Sequence, residues 1–548
     1  MLVVPLALLF LSTGFHGQPA PENRPAPRPQ SSRAVDDPRC KPAQTPFECA
    51  TLLVQNGDFQ PAISLLGRAL SSTPRDLKTL NLLGIALTGA GRTDDANRRF
   101  RQALAIDPSF YPAKKNLAVN EFNAGRDGEA EDLFKEVLGV VPDDEIAHLH
   151  LGEIHFARKQ LAAALAHFEK SGARATGNPV WTLHFASCLL EQGQVPRAVA
   201  LLDRLPAGDA TSRFEAGMLL GSARVYSDAA RQFGVARAGY KDPYAAGYNQ
   251  MLMLVEAGEH ERAIDVAQEL FRANQRTGEL YNLVSRAYIG ANRIQDAYDA
   301  LRTAARLEPS EEQHYLDLSL LCLDHENFDL GMEIVDVGLK YKPESGRLHV
   351  YRGVLLVMKG VVDAAEREFE TARRLGPGGP APDVALAMAW MQSGNAGRAV
   401  DLLREGTKAG AREAVVPYML GIALMRTGID AAAPEGAEAI AAFEAAIKLD
   451  PTLAGPRTEL GKALLRRGDT QKAIEQLELA ATLDPDNPAA LYLLGQAHRK
   501  MGNTARAQEL LARVTKLNEQ GRSEDPDKEL KRIVVRIVRE GAAPPARR

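Results

Sequence analysis

A pattern of apolar and small residues returns about every 34 residues along this chain, and it limits the fold more than any other feature. Its clearest copies read LLGIALTGAGRTDDANRRFRQALAIDP (Leu82–Pro108), YRGVLLVMKGVVDAAEREFETARRLGP (Tyr351–Pro377) and ELGKALLRRGDTQKAIEQLELAATLDP (Glu459–Pro485). In the first copy Leu82, Leu83, Ala86 and Leu87 share one face of a helix. Gly91 then supplies a residue tolerant of positive φ at a turn. Ala96, Phe100 and Ala103 follow on the inner face of a second helix, and Asp107-Pro108 ends it, because a residue before proline is pushed out of the helical region. Two helices this short cannot bury their apolar faces alone. The units must therefore stack, and the chain is expected to be all-α, a solenoid that grows by adding units and not by enlarging one core.

Composition agrees with that reading. The chain has 548 residues, of which 6% are aromatic, a supply that suits helices packed through Ala, Leu and Gly better than a pocketed enzyme. The net charge of −4 provides no field that would favour nucleic acid, and no nucleic-acid partner is expected. Of the four cysteines, Cys40, Cys49, Cys188 and Cys322, none forms a CxxC pair. Cys188 and Cys322 fall in apolar helical stretches and read as buried thiols.

The repeated residues resemble the tetratricopeptide repeat family. Its pattern runs from a small residue in the first helix to a turn glycine, then an alanine, an aromatic or leucine, a second alanine and a closing proline. Gly84, Gly91, Ala96, Phe100, Ala103 and Pro108 match it. So do Gly353, Gly360, Ala365, Phe369, Ala372 and Pro377, and again Gly461, Gly468, Ala473, Leu477, Ala480 and Pro485. Imperfect copies keep the phase over about fourteen units between roughly residues 43 and 519. Three stretches depart from it. Arg213–Lys241 reads as a unit with a shortened first helix, Glu326-Asn327 replaces the turn glycine of another, and Ile429–Gly436 inserts about six residues into a third.

The resemblance implies a right-handed superhelical solenoid whose first helices line a concave face that binds protein or peptide segments. Carried over residue by residue, that face includes Asn81, Lys115, Asn116, Phe122, His150, Tyr248, Asn249, Asn282 and Arg286, with Lys78, Ile85, Val119, Asn123, Glu153 and Phe156 beside them. An asparagine amide there can donate to and accept from the backbone of an extended peptide. Lys115 with Asn116 and Asn81 partly resembles a basic patch that holds a partner's carboxylate, without the full set of basic residues. Each of these side chains can also be read as a solvated polar residue on a helix face.

No catalytic constellation is present. GxSxG, HExxH and P-loop patterns are lacking, so no enzyme activity, cofactor or metal site is expected. His148, His150, His155 and His167 invite a metal reading, but His148 and His155 fall where the repeat places packing aromatics, so they read as filler between helices. The alternative to a protein-binding scaffold is a carbohydrate- or polymer-binding module of an export machine. It would call for exposed aromatics on the face, and Phe122, Phe156 and Tyr248 are few.

Outside the repeats, residues 1–18 hold an apolar run, Leu2–Leu11, too short to span a bilayer. It reads as a signal peptide that would place the protein in the periplasm or outside the cell, although no Lys or Arg precedes it; a misplaced start or a short buried helix is the other reading, which leaves the protein in the cytoplasm. Residues 19–42 form a Pro-rich linker. In an oxidising compartment Cys40 and Cys49 would join as a disulfide; otherwise both remain thiols. Residues 520–548 combine a stripe of Leu530, Ile533, Val534, Ile537 and Val538 with Lys531, Arg532, Arg536 and Arg539, then a tail expected to be disordered. The stripe reads as a helix capping the stack or, as the only route to membrane contact, as a basic amphipathic helix.

Overall fold

The computed structural model describes residues 45–376, 380–428 and 434–519. The leader, the linker, Cys40, most of the inserted stretch and the basic C-terminal segment lie outside the described residues. Among those described there are 28 α-helices and no strands. The chain divides into two compact units, one reaching Leu270 and the other starting at Phe271.

In the first unit the helices alternate as first and second members of pairs. These are α1 (Pro46–Gln55) and α2 (Phe59–Ser72), α3 (Leu77–Gly89) and α4 (Thr93–Ile106), α5 (Tyr111–Asn123) and α6 (Asp127–Val140), and α7 (Glu145–Ala157) and α8 (Leu161–Lys170). Then come α9 (Pro179–Glu191) and α10 (Val195–Leu202), α11 (Ala210–Ser222) and α12 (Tyr226–Ala236), and α13 (Pro243–Glu256) and α14 (His260–Arg272). Within it, α3, α5, α7 and α9 each pack on their own second helix, on the second helix before and on the neighbouring first helix. That is the arrangement of a helical solenoid.

The second unit repeats the scheme. It holds α15 (Gly278–Gly290) and α16 (Ile294–Leu307), α17 (Glu312–Asp324) and α18 (Phe328–Tyr341), α19 (Gly346–Met358) and α20 (Val362–Leu375), and α21 (Ala381–Gln392) and α22 (Ala396–Lys408). It continues with α23 (Val415–Arg426) and α24 (Pro434–Leu449), α25 (Ala454–Arg467) and α26 (Thr470–Leu483), and α27 (Pro488–Lys500) and α28 (Thr504–Glu519).

One contact recurs inside the pairs. A Cβ on Gly152 would stand 2.8 Å from the ring of Phe168, one on Gly217 2.9 Å from Phe233, and one on Gly353 2.5 Å from Phe369. Gly84 meets Phe100 in the same way, and Gly421 meets Phe443 across the inserted stretch. All five rings are essentially sealed from water. Each contributes about 1.5–3 kcal/mol of burial, available only because the facing residue has no side chain. Many first helices also start from a side-chain cap. The Asp76 carboxylate accepts from the Thr79 amide at 3.0 Å, and those of Asp144, Asp209 and Asp242 cap α7, α11 and α13.

Two departures resolve differently from the sequence expectation. The first helix around Arg213 is not shortened: α11 has 13 residues, and the short member is the preceding α10, with 8. The Asp209 cap adds a turn ahead of Arg213. The Arg213 guanidinium then turns inward to the carbonyls of Leu202, Asp203 and Leu205 and to Gln232 Oε1 (2.7 Å), satisfying the loop that follows α10. At the second site Glu326 takes the left-handed turn at φ 56° without glycine, and α17 and α18 keep 13 and 14 residues.

Candidate partner-binding face of the first helices

Side chains on the exposed side of successive first helices touch one another, because those helices are neighbours in the stack. In the first unit Asn116 Nδ2 donates to Asn81 Oδ1 at 2.9 Å, joining α5 to α3. Lys115 Nζ lies 2.7 Å from Asp144 Oδ2 and above the Tyr111 ring. The Asp144 carboxyl is held below its usual range. Burial opposes this, but Lys115 and the Ala147 and Ile146 amides outweigh it. The charge of Lys115 is therefore already matched inside the chain, which removes it from any patch that would hold a partner's carboxylate.

Phe122 meets His150 edge to face at 4.9 Å between centroids, and His150 stacks on Phe134. Burial pulls the His150 imidazole below its ordinary value, against the Ile146 carbonyl bonded to Nδ1. Next along the stack, Glu153 Oε2 accepts from His184 Nδ1 at 2.9 Å, and the His184 ring stacks on Phe156 at 4.1 Å. On α13, Asn249 Nδ2 is spent on the Ala245 carbonyl of its own helix, and Tyr248 is buried at 7% exposure beside Tyr244. Tyr248 thus belongs to the packed interior more than to an accessible face.

The second unit carries a parallel row. Asn282 is buried at 6% and donates to Asp317 Oδ2 at 2.6 Å, while Gln313 Nε2 holds the other oxygen. Arg347 reaches back to Gln313 Oε1 (3.1 Å) and Glu312 Oε1 (3.0 Å). Burial pushes the Asp317 carboxyl up, with Asn282, Gln313 and His314 acting against the shift. Arg286 is half-buried on the same helix as Asn282.

The structure thus joins Asn81 to Asn116 and Phe122 to His150, and gives Lys115 and Asn282 acidic partners in the chain. His184, Glu215, Asp317 and Arg347 escaped the sequence reading. Extending the repeat phase through every unit would have found them, since His184 and Glu215 occupy the place that Asn116 and His150 hold in earlier units. Among the described residues no cluster of His, Cys, Asp or Glu could hold a metal ion, and no helix is long and apolar enough to cross a membrane. His148 Nε2 faces the Pro142 carbonyl and its Nδ1 faces His167 Nδ1, both at 2.9 Å, which places this ring between helices. Cys188 and Cys322 are buried free thiols, their pKa values pushed up to about 12 and about 11 by burial, and Cys49 is disulfide-bonded.

Two tetratricopeptide-repeat family models match the chain, one over residues 87–154, 155–222 and 464–524 and the other over 48–109 and 435–488. The chain is a tetratricopeptide repeat protein. Its relatives include the peroxisomal targeting signal receptors of Kluyveromyces lactis, 33% identical over 90 residues, and Candida glabrata, 28% identical over 165. The first alignment covers 16% of each chain, the second 30% of this repeat protein and 26% of the receptor. The chain therefore spans about a quarter or less of the length of these curated relatives. Among solved structures it is similar to yeast Tom70, with a TM-score of 0.38 at 16% identity over 85% of this chain and 95% of that one. It is also similar to MamA, with a TM-score of 0.28 at 24% identity over 31% of this chain and 95% of that one.

Proposed function

We propose that this repeat protein is a non-catalytic scaffold that holds protein or peptide segments against its first-helix face, in envelope assembly or secretion. One observation carries the reading. Successive first helices display a row of polar and aromatic side chains, Asn81–Asn116, Phe122–His150 and Glu153–His184, already fixed by contacts between neighbouring repeats. Fixed groups lose little entropy on binding, which favours recognition of an extended segment. The relatives named as receptors for a targeting signal support a peptide-sized partner. Export rests on the apolar Leu2–Leu11 run and on the disulfide at Cys49, a bond that persists in oxidising compartments.

The test is site-specific crosslinking. A photoreactive side chain at Phe122 or Phe156 is expected to capture protein partners in envelope extract. The same group at Val140, exposed at the end of a second helix, is expected to capture none. Equal capture at Val140 overturns the placement of the face. Mature protein that retains Met1 overturns export.

A further inference from the structure

Charge is sorted by helix type in the middle of the first unit. The four first helices α7, α9, α11 and α13 contain a single Lys or Arg, Arg213, and its guanidinium is turned inward onto backbone carbonyls. The same helices carry Glu145, Glu153, Glu191, Glu215 and Glu256. Several basic residues of this region sit instead on or beside the second helices and are matched with acids, Arg197 with Glu169, Arg231 with Asp203 and Asp228, and Arg237 with Glu269, while Arg174 reaches Glu145 at the start of α7.

Two of these acids, Glu153 and Glu215, meet no Lys or Arg among the described residues. Glu153 is paired with the His184 imidazole. Glu215 is half-buried on α11, and among the described residues no hydrogen bond or ion pair reaches its carboxylate. Burial and Asp209 push its pKa up, and only His184 acts against them. So Glu153, His184 and Glu215, from three successive first helices, share one electrostatic neighbourhood. Aromatic surface flanks it on both sides: Phe156 stacks on His184, and Phe214 lies flat on Tyr240 at 4.1 Å and 2°.

Resting on the scaffold reading above, we propose that the first-helix face of α7, α9 and α11 docks a partner segment through its lysine or arginine side chains. The head group of such a side chain would pair with the unmatched carboxylate of Glu215 and add a cation to Glu153 beside His184, and its stem would lie along Phe156 or Phe214. A cation beside a half-buried carboxylate favours its charged form and offsets the burial that disfavours it. The occupant is thus opposite in charge to the carboxylate-ended partner that Lys115 and the asparagines hint at from sequence, and Lys115 is in any case neutralised by Asp144.

Fluorescence anisotropy on the full chain tests this, with a fluorescein-labelled peptide of repeating Gly-Lys dipeptides as probe and a Gly-Glu peptide of equal length as comparison. The Gly-Lys peptide is expected to bind more tightly, with an affinity that falls as salt rises. The double substitution Glu153→Gln and Glu215→Gln is expected to weaken it about tenfold, the scale of a lost charge-assisted contact. Glu169→Gln, on a second helix, is expected to leave it unchanged. Preference for the Gly-Glu peptide overturns the inference, as does an unchanged affinity in the double variant. Equal weakening by Glu169→Gln assigns the binding to bulk charge and overturns it too. If crosslinking at Phe122 or Phe156 succeeds while Lys-rich peptides are not selected, the scaffold reading stands and only this inference falls.

Discussion

At the scale of single residues, the glycine facing each buried ring is the most constrained position in a unit. Gly353 lies inside a helix, where glycine costs about 1 kcal/mol relative to alanine. It is retained because a Cβ would stand 2.5 Å from the Phe369 ring, whose own burial is complete. Gly353→Ala should therefore destabilise the chain by about 1–3 kcal/mol despite the better helix propensity, the usual cost of overpacking. Denaturant unfolding monitored by circular dichroism checks this, and a gain in stability would show that Phe369 can move aside. The pairing of Gly353 with Phe369 was legible in the sequence as a recurring offset. The engagement of Lys115 with Asp144 was not, because the cap of one first helix meets the side chain of another only after the units have stacked.

At the scale of elements, the contact of α7 with α8 adds a group of histidines to the Gly152–Phe168 contact and the buried aliphatic residues. His148 meets His167 nitrogen to nitrogen, and the His155 ring lies parallel to that of His167 at 5.3 Å. His148 Nε2 donates to the Pro142 carbonyl, which can only accept, and its Nδ1 shares a hydrogen bond with His167 Nδ1. Burial, then the neighbouring His148 and His155 and the charge of Lys170, pull the His167 imidazole down to about 4, and Glu131 opposes them weakly. Unfolded, the ring titrates near 6.5. Between these values the unfolded chain binds the extra proton, so acid favours unfolding. The stability of this pair is full above about 6.5 and is lost as pH falls towards about 4. Denaturation midpoints across that window should fall with acid, and His167→Gln should flatten the fall while leaving the residual slope from His150. A slope unaltered by His167→Gln would place the proton elsewhere.

At the scale of the whole molecule, stability in a stack is a sum of unit terms and neighbour contacts, so damage should stay local. Phe369→Ala empties a sealed site between α19 and α20 and should cost about 3–5 kcal/mol there. Hydrogen exchange should quicken in α19, α20 and the adjoining α18 and α21, and remain as in the parent chain over α3 to α8. Faster exchange over all of these helices together would mean that the chain opens as one cooperative body.

The helix pairs, their phase and their closing prolines were set by sequence alone, because small, aromatic and turn residues at fixed offsets act within one unit and need no knowledge of the next. What a face presents was decided by tertiary structure. Tyr248 is buried, Asn249 bonds its own helix, Asn282 is held by Asp317, and Glu215 is left without a hydrogen-bond partner among the described residues. Whether a polar side chain is satisfied or available depends on the neighbour that stacking brings to it, and residues on adjacent first helices are far apart along the chain though they touch in space.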